Sequence, residues 1–194
     1  THFITLIGFI TSHSFDSLHQ KNYTHINKHN RKIKVMTSLP DLFDQYSEQI
    51  QIGKLELQSF GSRQSISGEI YTVSCSDDNS VVKEILSRKG KNKVLVIDAS
   101  GVTHASMIGD QIAESALKNN WAGIVVNGCV RDVEELINLP IGIFAKGVVA
   151  QKTNKKNHGF EDVLISFGSV IITSGKWIYI DQNGWLIADN NLEF

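Results

Sequence analysis

The chain has 194 residues, 41% of them hydrophobic and 20% charged, with a formal net charge of −1. It is long enough to bury a full core as one domain, and its balanced charge excludes the global basic field that holds nucleic acid or an acidic membrane surface. Two widely spaced cysteines, Cys75 and Cys129, exclude a disulfide scaffold and favour a reducing, cytoplasmic setting, and no apolar run approaches bilayer length.

Residues 1–35 carry five basic side chains, one acid and five of the seven histidines, which leaves −5 for residues 36–194. They keep neither helical nor strand periodicity and read as an N-terminal extension outside the fold. Two origins stay open: an organelle-targeting presequence, or a stretch placed upstream of a natural start at Met36. Thr1–Ile10 is apolar but lacks a basic flank and a small-residue cleavage site, so it makes a poor secretory signal. The histidine spacings form no recognisable zinc site.

From Met36 the pattern is regular. Thr37 or Ser38 can cap a short helix with Pro40 and Asp41 in its first turn and Leu42, Phe43 and Tyr46 on its apolar face. Glu69–Ser74 alternates and is β-branched, as a strand should be. Asp78-Asn79-Ser80 opens a helix with Val81, Val82, Ile85 and Leu86 inward, ended by Lys89-Gly90-Lys91. Val94–Asp98 (VLVID) is a short apolar run suited to a buried parallel strand, followed by the loop Ala99-Ser100-Gly101. A helix begins at Gly109-Asp110, with Ile112, Ala113, Ala116 and Leu117 at helical spacing, and stops at Asn119-Asn120. Ile124–Val126 reads as a strand, Asn127-Gly128 as a turn, Val133–Leu139 as a short helix and Ile141–Phe144 as a strand. This alternation implies parallel strands with right-handed crossovers. Gln151–Gly159 is a polar basic loop. Short strands then follow at Val163–Phe167, Val170–Thr173, Trp177–Ile180 and Trp185–Ala188, with hairpin signals between them. The expected class is α/β, a parallel-strand core with an added antiparallel β layer. Trp177, Tyr179 and Trp185 supply either an aromatic subunit interface or an intrachain core.

The chemistry concentrates in GDQIAESALKNNWAGIVVNGCVRD, Gly109 to Asp132. One helix and one strand fit between Asp110 and Arg131-Asp132, which can bring all three to one rim of a sheet. Each has a bland explanation: Asp110 and Asp132 as helix N-caps, Arg131 as a solvated charge. Together they suit more. The backbone N–H groups of Gln111 and Ile112 at the helix start can hold a carboxylate. A hard cation such as Mg²⁺ or Mn²⁺ keeps several waters and takes only one or two carboxylates; Asp132 can be the direct ligand while Asp110 holds a metal-bound water. Arg131 offers a planar fork for a substrate carboxylate. Cys129 with His104 as base is a weaker alternative to a buried structural thiol, and His158 reads as solvated. No GxGxxG follows VLVID and no Walker A sequence occurs, which argues against a dinucleotide cofactor.

At these residues the chain resembles the RraA-like family, which includes class II 4-hydroxy-4-methyl-2-oxoglutarate aldolases and regulators of ribonuclease E activity. The resemblance runs from Thr37 to the C-terminus. Its marks are Phe60-Gly61-Ser62-Arg63, Asp78-Asn79-Ser80, VLVID, the 109–136 block, Phe167-Gly168-Ser169 and WIYID. It implies a swivelling β/β/α domain over residues 36–194, assembled as a homotrimer or a dimer of trimers. It also implies a divalent-metal lyase that cleaves a 4-hydroxy-2-oxo diacid to pyruvate and decarboxylates oxaloacetate. Asp110, Arg131 and Asp132 match the Asp-x20-Arg-Asp motif of the aldolase branch at all three positions. By that resemblance Asp132 is the metal ligand, Arg131 contacts the substrate carboxylate and enolate, and Asp110 holds a catalytic water. The Gln111 and Ile112 amides, beside Gly109, would grip the pyruvyl carboxylate. The alternative the family offers is a protein that binds an RNA-degrading endonuclease, with no direct contact to nucleic acid. Two departures, Ala99-Ser100-Gly101 for a glycine run and His104 for a common arginine, bear on substrate selectivity.

Overall fold

The computed structural model describes residues 37–192; the expected extension over residues 1–35 lies outside the described residues. Helix α1 (Leu39–Tyr46) starts where its capping chemistry dictates, with Ser38 Oγ accepting the Asp41 N–H and proline in the first turn. Its inward residues are Leu39 and Leu42, whereas Phe43, expected on the apolar face, is exposed. After it come β1 (Ile50–Ile52), β2 (Gln58–Ser59), β3 (Ile66–Ser74), α2 (Ser80–Ser87), β4 (Val94–Asp98), β5 (Ser106–Ile108), α3 (Asp110–Lys118), β6 (Gly123–Val130) and the single turn α4 (Val133–Leu136). The chain closes with β7 (Gly142–Val148), β8 (Phe160–Glu161), β9 (Ile165–Phe167), β10 (Val170–Ile172), β11 (Trp177–Asp181) and β12 (Gly184–Ala188).

The main sheet has the order β1-β12-β11-β3-β4-β6-β7-β2, with β5 also paired to β6 and β8 to β3. Strands β3, β4, β6 and β7 are mutually parallel, as the strand–helix alternation requires, and the flanking strands are antiparallel. The expected α/β class with an antiparallel layer therefore holds. One face of the parallel part carries α2, α3 and α4 through Val82, Ile85, Leu86, Ala113, Ala116 and Leu136. The other packs Ile70, Val96 and Val125 against Ile165, Phe167 and Ile172 of the β9–β10 hairpin. The layers are thus β, β and α.

Several elements depart from the sequence expectations, and β1, β2 and β8 among them are strands with no expected counterpart. Asn127-Gly128 is no turn, because β6 runs through it with all eight residues buried between β4 and β7. Asn127 survives there because its side-chain amide donates to Asp98 Oδ1 at 2.8 Å, and the strand absorbs the pair by a register shift against β7 between Val126 and Cys129. Strand β5 has no signal beyond the apolar pair Met107-Ile108. Tyr179 and Trp185 are buried, and Trp177 packs with Leu39 and Leu42 beneath α1, so these aromatics form an intrachain core rather than an open interface.

Candidate functional site

The site arises where two parallel chains leave the sheet side by side. Strand β5 pairs with the end of β6, Ser106 opposite Cys129 and Ile108 opposite Val130, and the Arg131 N–H donates to Ile108 O at 3.0 Å. Two residues past Ile108 the chain enters α3 at Asp110; two residues past Val130 it reaches Asp132. Parallel pairing thus sets the three polar residues of the motif at one rim.

Asp132 has φ 56° and ψ 43°, a left-handed conformation that aspartate tolerates better than most residues. It precedes α4 but makes no side-chain capping bond to it, so the capping explanation fails for this residue. Its carboxylate folds back instead: Oδ2 lies 3.2 Å from Arg131 Nε and accepts from the Asp110 N–H at 3.4 Å. The carboxylate thereby sits on the N-terminus of α3, whose partial positive charge favours it. What sets Asp132 apart is therefore the side chain, which leaves its own helix for Arg131 and the start of α3.

Gly109 is the N-cap of α3, and Asp110 is its first helical residue, one position later than a capping reading of Asp110 requires. Asp110 Oδ1 accepts the Gln111 N–H at 2.7 Å, so that amide, expected free, is occupied by its neighbour's carboxylate. The Ala113 N–H donates to Gly109 O, which leaves the Ile112 N–H without a partner among the described residues. Gly109 itself has φ −130°, open to any residue. Its requirement is space: a Cβ there would stand 2.6 Å from Asp132 Oδ2 and 3.1 Å from Arg131 Nε. Gly109→Ala is therefore expected to leave the thermal melt within about 1 kcal/mol of wild type. It should nonetheless displace the carboxylate–guanidinium pair and cut activity by about tenfold or more; steady-state kinetics beside a melting curve check both.

These residues border a cavity of ≈ 480 Å³. Gly109, Asp110, Gln111, Ile112 and Arg131 form one side. Asp132 does not line it; its side chain, 32% exposed, adjoins the cavity through Arg131 and Gly109. The rest of the lining includes Lys152, Thr153 and Lys155 of the polar basic loop, with Asn79 and Lys83 from the start of α2. Thr153 is buried and its hydroxyl donates to Asn79 Oδ1 at 3.0 Å, while the Asn79 amide donates to Met107 O. Asp78, fully buried, fastens the same loop, Oδ2 accepting from the Lys156 and His158 N–H groups at 2.8 Å and Oδ1 from Ser80 N. A larger depression of ≈ 620 Å³ between residues 53–59 and the 181–184 turn contains none of the motif residues.

Burial alone would raise the Asp78 pKa, but the bonds from Ser80, His158 and Lys156 outweigh it and hold the carboxyl at about 2. A folded-state pKa below the unfolded value of about 3.9 stabilises the fold above pH ~4, and that stability is lost as pH falls toward 2. Asp78→Asn is expected to cost about 1–3 kcal/mol in urea unfolding at pH 7, from amides left short of an acceptor. The deficit relative to wild type should shrink as pH falls from about 4 to 2.

The thiol alternative finds no support. Cys129 is buried, its pKa raised by desolvation against the opposing charge of Lys146, and the His104 ring, largely exposed, faces Asp77 at 3.3 Å. Both cysteines are free and buried, with burial pushing Cys75 up to about 12. His158 is exposed, as expected. Among the described residues no three His, Cys, Asp or Glu side chains gather as a metal cage, and no helix is long and apolar enough to cross a membrane.

Fold and site together define a three-layer α/β protein whose carboxylate–guanidinium pair folds from the end of a parallel strand onto the N-terminus of the preceding helix. The chain belongs to the RraA-like family: the family model described as Aldolase/RraA matches residues 36–187. It is 40% identical over 156 residues to a Shewanella oneidensis protein named "Putative 4-hydroxy-4-methyl-2-oxoglutarate aldolase", covering 80% of this chain and 95% of that one. A Vibrio cholerae protein of the same name is 42% identical over 154 residues, covering 79% and 96%. Two solved structures superpose with TM-scores of 0.79. One is described as the RNA-processing inhibitor RraA from Thermus thermophilus, at 31% identity over 82% of this chain and 96% of that one. The other is described as an S-adenosylmethionine:2-dimethylmenaquinone methyltransferase from Geobacillus kaustophilus, at 35% identity over 80% and 97%. One fold thus carries three named activities, and the site must decide among them.

Proposed function

We propose that this protein is a divalent-metal-dependent lyase that cleaves 4-hydroxy-4-methyl-2-oxoglutarate-type substrates to pyruvate and also decarboxylates oxaloacetate. The observation that carries the reading is the left-handed Asp132, whose carboxylate leaves its own helix to meet Arg131 and the α3 N-terminus. The aldolase names of the Shewanella and Vibrio relatives support it.

The residues fit a Mg²⁺- or Mn²⁺-type ion rather than a zinc cage: the rim offers the Asp132 and Asp110 carboxylates and no cluster of three ligands among the described residues. Asp132 would be the direct ligand and Asp110 would hold a water at the ion. When bound, the cation supplies Lewis-acid charge at the 2-keto oxygen of the substrate.

The rest is work for the chain's own groups. Ile112 N–H, at the positive end of α3, receives the C1 carboxylate, and the Gln111 N–H joins it if Asp110 turns toward a water. Arg131 keeps Nε on Asp132 and directs its terminal nitrogens at substrate oxygen. Asp110 takes the C4 hydroxyl proton onto its carboxylate through an intervening water, the C3–C4 bond breaks, and its electron pair passes to C3–C2 as the enolate of pyruvate. Arg131 stabilises that growing negative charge, and a proton returned to C3 completes pyruvate. C4 leaves as a carbonyl, so the 4-methyl diacid yields two pyruvates. Oxaloacetate loses CO₂ through the same enolate. A Schiff-base route would need a buried lysine of depressed pKa; among the described residues no lysine is buried.

Asp110→Asn separates chemistry from helix support, because Asn keeps an oxygen for the Gln111 N–H and loses only charge. Stability should change by less than about 1 kcal/mol, while turnover falls by about a hundredfold. Full activity in Asp110→Asn, with earlier melting only in Asp110→Ala, would reduce Asp110 to a helix-start residue.

The second reading, a regulator that binds an RNA-degrading endonuclease, draws on the description of the Thermus neighbour. Pyruvate release from oxaloacetate with added Mg²⁺ discriminates: turnover supports the lyase, whereas none, together with tight binding to the nuclease, reverses the ranking. Assembly as a homotrimer or dimer of trimers belongs to this proposal, and a monomer by sedimentation at micromolar concentration would remove it.

A further inference from the structure

The cavity's lining is unequal in charge. Lys83, Arg131, Lys152 and Lys155 line it against the single carboxylate Asp110. Arg131 is occupied by Asp132, but Lys83, Lys152 and Lys155 have no ion-pair partner among the described residues. Unpaired lysines occur elsewhere on the described surface, among them Lys54, Lys89 and Lys91, but here three of them border one cavity. Three unpaired lysines bordering one cavity with a single lining carboxylate give it a positive balance that favours an anion.

Their backbone is held in place although the side chains are exposed. Lys152 bridges to Ser106 of β5, next to the Ser106 N–H bond to Gln151 O at 2.8 Å. Thr153, between the two lysines, is buried and anchored to Asn79, which is itself tied to Met107. Lys156 N and His158 N are fixed on Asp78. Lys83 projects from the first turn of α2, its N–H bonded to Asn79 O at 2.9 Å. Asp78 and Asn79 thus tie the loop and the helix together, and the three lysines border the same cavity as the α3 N-terminus.

We propose that Lys83, Lys152 and Lys155 hold the distal carboxylate of the substrate and so set the preference for a diacid over a monoacid. This rests on the lyase reading for the reaction at the Asp132–Arg131 rim. Lysines are suited to such a role because flexible point charges accept a terminal carboxylate at several chain lengths, where an arginine fork would fix one. A cleavage that leaves the distal carboxylate on a separate product weakens its tie to the Arg131 end, and exposed lysines let it go.

The test compares wild type with Lys152→Gln, Lys155→Gln and the triple Lys83→Gln/Lys152→Gln/Lys155→Gln variant. Substrates are 4-hydroxy-4-methyl-2-oxoglutarate and a 4-hydroxy-2-oxo acid ending in methyl. In the triple variant the ratio of kcat/KM for diacid over monoacid should fall about tenfold, mainly through the diacid KM. Added salt should erode that ratio in wild type and spare it in the variant. Equal losses on both substrates, or no change in the ratio, would overturn the assignment. A wild type that turns over neither substrate counts against the lyase reading, and calorimetry then judges the lysines separately. 2-Oxoglutarate should bind wild type more tightly than 2-oxobutanoate in the presence of Mg²⁺, with the difference lost in the triple variant. Equal binding, or no binding, of the two acids to wild type would overturn the proposal.

Discussion

Asp132→Ala is expected to abolish turnover, lowering kcat by about 10³-fold or more, the scale of a Lewis-acid contribution of several kcal/mol. A site with so few carboxylates has no substitute for its direct ligand. The same change releases Arg131 Nε and the Asp110 N–H from their acceptor. It also places alanine at φ 56°, a left-handed position that costs a residue without a local hydrogen bond about 1–2 kcal/mol. Asp132→Asn controls for this, since asparagine accepts the left-handed backbone and keeps an oxygen for Arg131. Asn should restore most of the lost stability in a thermal melt and little of the activity. An alanine variant with wild-type kcat would show that Asp132 serves the backbone alone.

Arg131→Lys should prove nearly as damaging as removal, with kcat/KM down about a hundredfold, although the charge is kept. Lysine has no Nε to hold Asp132 Oδ2 while further donors reach the substrate, so it can serve one partner only. A lysine variant within about threefold of wild type would mean that net charge, not the planar fork, is what the site uses.

The sequence carried the site further than it carried the strands around it. Asp110 and Asp132 were legible as rim residues because one helix and one buried strand fill the interval between them. The element that makes the rim, β5, was not, because Ser106–Ile108 is three residues long and takes its order from pairing with Cys129 and Val130. Asn127-Gly128 misled for the opposite reason. Its local preference is a turn, but two neighbouring strands and the Asp98 carboxylate offer the backbone and the amide more than a turn does. The occupied Gln111 N–H has no mark in the sequence, since whether Asp110 turns toward its own helix is a rotamer choice that spacing does not encode. The 151–159 loop showed its charge but not its place. The contacts that bring Lys152 and Lys155 to the cavity run through Asp78 and Asn79, more than seventy residues earlier. By contrast VLVID, α3 and the C-terminal hairpins carry their own periodicity and turn residues, and they stand where that chemistry puts them.

The central claim is a metal-dependent retro-aldol cleavage at the Asp132–Arg131 rim. It is tested most directly by pyruvate formation from 4-hydroxy-4-methyl-2-oxoglutarate after exhaustive chelation and again during back-titration with Mg²⁺ or Mn²⁺. Activity should vanish on chelation, return with the added ion in wild type, stay absent in Asp132→Ala, and release two pyruvates per substrate. Activity that survives chelation and is trapped by borohydride in the presence of substrate would contradict that claim.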